Sequence, residues 1–409
     1  MELRERLRDV KPDLSLHMYT THWGFARSLP NYRASSDLFD FARTVNYFGT
    51  EVTAQNPIAT ARPMLPLRKA FNLFPLAVEA PPPWAWFYSY TRGQNLFCWG
   101  VSQLCGQQAV LERNYPAEPG IPDYDAFAAS DLAFKRAGAI CLAKVALVFS
   151  ASSRDWNRRT SFDGELFGVA QALEALHVPY EIVGDRYLDA RHLDKYKVLF
   201  LCGSECLSDR AVEDVRAFAA RGGTVQMAET AGTCDEFGLE RAENPFRDLP
   251  GKVVRRSASW ATPYHMAELK PPMKSQFVPE TPEEIAFRGE VAKIVEGAAL
   301  WRTDAPSKVY TTLWREADGA IAIQFLNATG GGWPIGEVVQ VKPRGPMFPP
   351  LERDVSFTIA SRHDVRVTVA GPGLKGEREI AVSRQGDEIS VVVPRELLRT
   401  YAIVRVRRD

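Results

Sequence analysis

The sequence predicts a multidomain α/β protein in which two regions of parallel sheet precede a region of antiparallel sheet. Up to about residue 305, short apolar runs alternate with helical patterns, which favours parallel strands joined by right-handed crossovers. From about residue 306 apolar residues recur with a period of two and no clear helical pattern interrupts them, which is typical of antiparallel strands. At 409 residues the chain is long enough for two or three domains.

Residues 1–143 repeat a strand followed by a helical or looping return. After an initial helix that ends at Pro12, the apolar runs predict four strands, at 14–19, 47–52, 73–78 and 95–101. A closed (β/α)8 barrel requires eight such strands, so this region is interpreted as the C-terminal half of a barrel.

Residues 144–305 begin with a continuous apolar run from Lys144 to Phe149, which is typical of a strand covered on both faces. A helical pattern from Phe162 follows, and Ser208 is the expected N-cap of a second helix that ends at Gly222-Gly223. The remaining predicted strands are 178–183, 197–201 and 224–228. This alternation predicts a doubly wound, flavodoxin-like sheet with helices on both faces.

Residues 306–409 are expected to form an antiparallel β-sandwich. Asp318-Gly319 is a hairpin signal between the first two strands, and residues 328–350, rich in Gly and Pro, are expected to form a long loop. The seven predicted strands are 309–314, 321–327, 355–359, 365–369, 379–382, 389–393 and 402–406.

The composition excludes several classes of function. The chain carries 50 basic and 50 acidic residues, so no basic footprint indicates nucleic acid or an anionic membrane as a partner. No apolar run approaches the roughly 20 residues of a membrane span, and the N-terminus lacks the apolar core of a signal peptide. Six cysteines in a chain this long do not form a disulfide framework, and we expect a cytoplasmic location.

The candidate site is predicted at the C-terminal ends of the first four strands, where catalytic residues of βα barrels lie. Carboxylates and aromatic rings are concentrated there, and this combination suits sugars, because indole rings stack on pyranose faces while carboxylates act at the glycosidic oxygen. The candidates, in chain order, are His17, Tyr19, His22, Glu51, Glu79, Trp84, Trp86, Trp99 and Gln103.

Glu79 is the sharpest of these candidates. It follows an apolar run, and the prolines at 81–83 restrict the path of the chain that leaves the strand. Such a context suits a rigidly held catalytic carboxylate, while the alternative is a rim glutamate in a salt bridge. Glu51 is an alternative carboxylate, and Trp99 and the histidines also fit packing roles in a barrel.

Other kinds of site find no support. Cys202, Cys206 and Cys234 form no CxxC pair and have no histidine at a zinc spacing, so no metal is expected. The chain also has no nucleophile elbow and no glycine-rich phosphate loop, so no cofactor is expected.

With these segments and motifs in hand, the chain resembles the C-terminal two thirds of glycoside hydrolase family 42 β-galactosidases. The run Phe74-Pro-Leu-Ala-Val-Glu79-Ala-Pro-Pro looks like the family's seventh barrel strand, and Asn95-Leu-Phe-Cys-Trp99-Gly-Val-Ser-Gln103 looks like the eighth. Residues 144–238 resemble the family's amidotransferase-like trimerisation domain. The resemblance implies that Glu79 is the nucleophile, that a β-galactoside is the substrate, and that the chain forms a homo-oligomer, a trimer.

The sequence departs from that family at two places. The family's acid/base glutamate, in an Asn-Glu pair at the end of the fourth strand, has no counterpart, although a retaining mechanism needs two carboxyl groups roughly 5 Å apart. We therefore expect a fragment, a chain completed by another polypeptide, or an inactive form. The run Ala228-Glu-Thr-Ala-Gly232 also lacks the cysteine of a true amidotransferase, so the middle domain is expected to pack subunits.

Three hypotheses follow. The first is a retaining glycosidase, or its C-terminal part, with Glu79 as nucleophile and the three tryptophans shaping the sugar site. The second places catalysis on Glu51. The third, from another class, is a non-catalytic carbohydrate-binding or assembly protein derived from a glycosidase.

Overall fold

A computed structural model provides the coordinates of the chain. The residues that it describes are 2–13, 17–20, 47–51, 70–74, 91, 95–98, 127, 130–135, 137–156, 162–256, 280–327, 329 and 349–408. The predicted mixed α/β class, with both parallel and antiparallel sheets, is confirmed. Among the helices described, none combines the length and the apolar content that a bilayer span needs.

The first sheet follows helix α1 (Glu2–Val10), and its four strands lie side by side in chain order. Each neighbouring pair is parallel. The strands are β1 (His17–Thr20), β2 (Tyr47–Glu51), β3 (Ala70–Phe74) and β4 (Asn95–Cys98). Because all four run in one direction, their last residues lie along one side of the sheet, which we call the carboxyl edge.

The predicted start of the third strand, residue 73, was wrong. The strand occupies Ala70–Phe74, and its first residue, Ala70, already pairs with Phe48 of β2. Residues 75–78 of the predicted strand lie outside the described residues.

The second sheet is parallel and has five strands in the spatial order β10-β9-β8-β6-β7. The first of these strands along the chain, β6, lies inside the sheet between β8 and β7. The strand order therefore reverses beside β6, as in doubly wound sheets. The strands are β6 (Val145–Phe149), β7 (Tyr180–Gly184), β8 (Val198–Leu201), β9 (Thr224–Ala228) and β10 (Val253–Arg256). The last of these was missed, since Val-Val-Arg-Arg is too short and polar to predict a strand.

Five α-helices accompany this sheet in the described residues. They are α2 (Ala151–Trp156), α3 (Phe162–Ala175), α4 (Ala190–Leu193), α5 (Asp209–Ala220) and α6 (Pro282–Val295). The predicted cap is confirmed, because the Ser208 side chain accepts the backbone N–H of Ala211 at 3.2 Å. Thr281 and Glu284 form a reciprocal capping box at the start of α6.

Two antiparallel sheets make up the C-terminal β region, which we define as residues 301–408 together with the short strand Ile140–Cys141 (β5). The four-stranded sheet has the order β11-β14-β18-β17, and the six-stranded sheet the order β16-β15-β19-β13-β12-β5. The strands are β5 (Ile140–Cys141), β11 (Trp301–Thr303), β12 (Val309–Arg315), β13 (Ile321–Asn327), β14 (Val355–Ala360), β15 (Val365–Ala370), β16 (Arg378–Ile380), β17 (Val382–Gln385), β18 (Glu388–Val393) and β19 (Tyr401–Arg408).

Buried residues of both sheets join in one apolar cluster that includes Phe325, Phe357 and Val391. The predicted hairpin turn is confirmed, with Gly319 at φ 90° and Arg315 paired with Ile321. The single strand predicted at 379–382 was wrong. Its residues belong to β16 and β17, which lie in different sheets, so the chain crosses between the sheets at Ala381.

Candidate functional site

One of the two candidate glutamates lies at the carboxyl edge of the first sheet. Glu51 is the last residue of β2 and is paired in register with Leu73 of β3. His17 and Tyr19 occupy alternate positions of β1, opposite Tyr47 and Gly49 of β2. The register therefore brings these three candidates to two adjacent strands.

The other predicted site residues lie outside the described residues and stay predictions. They are His22, Glu79, Trp84, Trp86, Trp99 and Gln103. Two of them follow described strands closely, since Trp99 comes directly after the last residue of β4 and Glu79 is the fifth residue after Phe74.

Thr91 is described between β3 and β4, and it is fully buried. Its carbonyl oxygen accepts hydrogen bonds from Thr312 Oγ1 at 2.8 Å, Trp314 Nε1 at 2.9 Å and Gln324 Nε2 at 3.0 Å. Thr91 is thus attached to the six-stranded sheet. Sequence reasoning missed this contact, although a glutamine inside the apolar run Ile-Ala-Ile-Gln-Phe-Leu was a signal for a buried polar contact.

A second candidate position lies where the order of the five-stranded sheet reverses, beside the ends of β6 and β8. Ligands of doubly wound sheets bind in this place. Glu165 of α3 is buried there, and one of its oxygens accepts the backbone N–H of Gly203 at 2.6 Å. Burial raises the pKa of Glu165 to about 7, because the charged carboxylate loses its hydration, while the bond from Gly203 acts in the opposite direction.

The hydroxyl groups around this position bind the protein itself. Ser150 Oγ and Ser153 Oγ both donate to the carbonyl of Cys206, at 2.8 and 2.9 Å, and Ser153 Oγ also accepts the Cys206 N–H at 2.8 Å. Burial raises the pKa of Cys202 well above its usual value, which keeps this thiol protonated. The described residues at this position therefore include a buried carboxyl group, that of Glu165, and a thiol, that of Cys202, which stays protonated.

Cys206, which lies nearby, also remains a thiol. Burial, and then the neighbouring Cys234 and Glu205, raise the pKa of Cys206 to about 12. Within the described residues, no group of three or more His, Cys, Asp or Glu side chains is placed to hold a metal ion.

A groove of about 810 Å³ opens at one end of the C-terminal β region. Ile321, Ile359 and Val406 contribute apolar surface to it, and Arg315 and Arg408 contribute basic groups. Asp318 is the acidic residue of its described lining, so this groove lacks the pair of carboxylates that glycoside hydrolysis uses.

The chain is similar to known proteins in structure, although the two sequence comparisons found no match. No family model matches the chain, and no curated protein matches its sequence. Among solved structures, α-L-fucosidase isoenzyme 2 from Paenibacillus thiaminolyticus is similar, with a TM-score of 0.57 at 15% identity over 100% of this chain and 70% of that one. A β-galactosidase from Bacillus circulans sp. alkalophilus has a TM-score of 0.57 at 13% identity over 99% of this chain and 65% of that one.

The glycoside hydrolase family 42 β-galactosidase Gan42B from G. stearothermophilus is a third match. It has a TM-score of 0.55 at 10% identity, covering 98% of this chain and 65% of that one. The chain thus has a glycosidase-like fold and spans about two thirds of the length of these galactosidases.

Proposed function

We propose that this chain is the C-terminal part of a retaining glycoside hydrolase that acts on a β-galactoside or a related terminal sugar. The observation that carries the proposal is the first sheet, whose four parallel strands lie in chain order with Glu51 at their carboxyl edge. This is the arrangement of consecutive barrel strands. The glycosidase-like fold along the whole chain supports the same conclusion.

Glu79 is the proposed nucleophile. Its carboxylate attacks the anomeric carbon while an acid protonates the departing glycosidic oxygen, so that one C–O bond forms as another breaks. Water then attacks the glycosyl-enzyme, the acid now acting as base, and the carboxylate of Glu79 is regenerated. Since this sequence offers no counterpart of the acid/base glutamate, we place that residue on a barrel half outside the 409 residues.

The remaining candidates bind the sugar in this proposal. Trp84, Trp86 and Trp99 stack on its apolar faces, and His17, Tyr19, His22 and Gln103 hold its hydroxyl groups. Glu51 is the alternative nucleophile, favoured by its position at the end of β2.

Residues 144–305 have an assembly role in this proposal, as an amidotransferase-like domain that joins three copies of the chain in the cytoplasm. The support is chemical: around the sheet reversal, the described hydroxyl groups bind the protein itself and Cys202 stays protonated. If the chain neither forms homo-oligomers nor cleaves sugars, a non-catalytic carbohydrate-binding role remains as the second candidate.

The test uses this chain joined to, or co-expressed with, a family 42 N-terminal barrel half, assayed on an aryl β-galactoside. We expect Glu79→Ala to lower kcat by at least about a thousandfold, because no covalent intermediate forms, and azide to restore turnover by replacing the carboxylate. Glu396→Ala, at an exposed glutamate in the C-terminal β region, is the matched control.

Glu51→Gln separates the two carboxylates. Turnover that survives Glu79→Ala but not Glu51→Gln would transfer the nucleophile to Glu51. Full activity in both variants would remove the carboxyl edge from the mechanism.

A further inference from the structure

Two arginines lie on the inner face of the six-stranded sheet, where the alternation of the core predicts apolar residues. Successive side chains of a strand point to opposite faces of the sheet. Arg315 is two positions after Leu313 and Arg408 is two positions after Val406, and both preceding residues belong to the apolar cluster between the sheets. The alternation therefore places both arginines on the inner face, at one end of the C-terminal β region.

The strand register brings these two arginines near each other. Arg315 is paired with Ile321, and Ile321 is paired with Val406 on its other side. Arg408 is two residues beyond Val406, so the arginines are two strands and two residues apart, a Cα separation of about 12 Å from the spacings of a β-sheet. Both line the groove described above, and side chains of this length can reach one anion that lies between them.

The charges of the groove leave these two arginines available to a ligand. Neither has an ion-pair partner among the residues that the structure describes. The other two arginines of the lining are paired: Arg407 is bonded to Glu377 at 2.8 Å, and Arg362 is bonded to Asp387 at 3.2 Å. The carboxylate of Asp318, the acidic residue of the described lining, already accepts a backbone N–H at 3.0 Å.

Aliphatic side chains from both sheets form the inner surface of the groove. Ile321 and Val365 of the six-stranded sheet and Ile359 of the other sheet line it, as part of the apolar cluster between the sheets or packed against it. His363 contributes the one ring of the described lining, so this lining lacks the aromatic surface on which neutral sugars stack. The volume of about 810 Å³ is that of a small-molecule site. Aliphatic surface beside two cations suits a ligand with one anionic end and an apolar body.

The two loops that border the groove are fixed by their own hydrogen bonds. The turn between β12 and β13 is closed by the N–H of Glu316, which donates to the Ala320 carbonyl at 2.8 Å. In the loop after β14, the guanidinium of Arg384 donates to the carbonyls of Ser361 and His363. A site with ordered walls loses less conformational entropy when its ligand binds.

We propose that this groove is a binding site for an aliphatic carboxylate. Arg315 and Arg408 bind the carboxylate through charge-assisted hydrogen bonds, and the aliphatic chain lies on Ile321, Ile359 and Val365. None of these residues belongs to the candidate sugar site, so this binding site is independent of the function proposed above.

Isothermal titration calorimetry of the full chain with sodium octanoate tests the proposal. Arg315→Gln and Arg408→Gln each remove one charged donor, and we expect each to weaken octanoate binding by at least about tenfold. Both side chains are exposed, so the variants should fold. Arg378→Gln is the matched control, because it removes an exposed arginine of β16 in the same sheet, outside the lining of the groove. This variant should bind octanoate as the wild type does.

Two further ligands separate the contribution of the carboxylate from that of the chain. Octanol has the same chain without the charge and should bind at least about tenfold more weakly than octanoate. Decanoate should bind about tenfold more tightly than octanoate, because two more methylene groups are buried on the aliphatic surface.

Several outcomes would overturn the proposal. Octanoate that does not bind, or that binds equally well to the wild type, Arg315→Gln and Arg408→Gln, would remove the site. Equal weakening in Arg378→Gln would assign the effect to net charge and not to the groove. Acetate that binds as tightly as octanoate would show a site for small anions alone, and octanol that binds as tightly would show that the arginines do not recognise the carboxylate.

Discussion

The two sheets of the C-terminal β region are built from similar strands but have different surroundings. In the four-stranded sheet, burial alternates along β14 and β18, and β17 is largely exposed. In the six-stranded sheet, β13 and β19 are buried at almost every position, on both faces. One sheet therefore has an outer face in water, and the outer face of the other is covered by the rest of the protein.

The covered face is where the regions of the chain are joined. Leu326 of β13 and Ile403 of β19 belong to the same apolar cluster as Leu147 of the five-stranded sheet. The polar residues on this face bind other segments, as Gln324 binds Thr91 and Arg405 binds the carbonyls of residues 132 and 133. The six-stranded sheet, with two buried faces, therefore contacts both the four-stranded sheet and other regions of the chain. The four-stranded sheet, with one buried face, contributes to a single core.

The largest expected effect comes from an ion pair on the covered face. Arg405 and Glu316 are 1% and 0% exposed and are bonded at 2.8 Å. Glu316→Ala removes the nearest carboxylate from a buried guanidinium and leaves Glu377, at 3.5 Å, as its remaining ion-pair partner. We expect a loss of about 3 kcal/mol in the free energy of unfolding by urea. Glu388→Ala breaks an exposed pair with Arg302 on the other sheet and should cost at most about 1 kcal/mol. Equal losses in the two variants would contradict the comparison.

The next effect concerns apolar side chains on the two outer faces. Leu326 is 0% exposed on β13, whereas Val392 is 51% exposed on β18. We expect Leu326→Ala to cost about 2–5 kcal/mol by lost burial and a cavity, and Val392→Ala to stay within about 0.5 kcal/mol. Urea denaturation of the two variants measures both losses. A small effect of Leu326→Ala would show that the outer face of the six-stranded sheet is not well packed.

A pH-dependent contact links the end of α3 to the four-stranded sheet. His177 Nε2 donates to the Ala305 carbonyl at 2.8 Å, and the His177 carbonyl accepts from Trp301 Nε1 at 2.9 Å. Burial lowers the pKa of His177 from 6.5 to about 4, because the charged imidazolium loses its hydration.

The sign of the pH effect follows from that shift. The unfolded chain takes up a proton at a higher pH than the folded chain does, so this contribution is fully present above about pH 6.5 and is lost as the pH falls toward 4, by up to about 3 kcal/mol. His177→Asn should remove that part of the pH dependence, and asparagine tolerates the backbone φ of 56° at this position. Urea unfolding at pH 7 and pH 4.5 measures the free energy of unfolding of the wild type and the variant. If both lose the same amount between these two pH values, groups other than His177 cause the pH dependence.

The smallest effect should be the same in both sheets. Gly319 and Gly386 lie in the turns before β13 and β18, with φ of 90° and 59° and open space at the position of a Cβ. Alanine at either position costs about 1 kcal/mol through backbone strain alone. A much larger loss at one turn, measured by thermal unfolding, would show that its surroundings also resist the change.

Sequence patterns predicted much of the fold wherever the governing interactions are local. Burial of Val145–Phe149, the Ser208 cap and the Asp318-Gly319 turn each depend on residues a few positions apart. Glu51 was expected at the end of β2 for the same reason, and it is there. The start of the third strand was misplaced because an apolar run does not show which of its residues pair, and Glu165 was missed because its raised pKa depends on what surrounds it.

By itself, the amino-acid sequence determined the periods of two and of about 3.6 residues, the caps and the turns, and hence the kinds of element and their order along the chain. The tertiary structure alone decided that Gln324 and Arg405 are buried on a sheet face, that the strands near Ala381 belong to different sheets, and that Thr91 meets three donors from the other end of the chain. The physical reason is that a side chain's hydration and its partners depend on segments hundreds of residues away, and no local pattern records them.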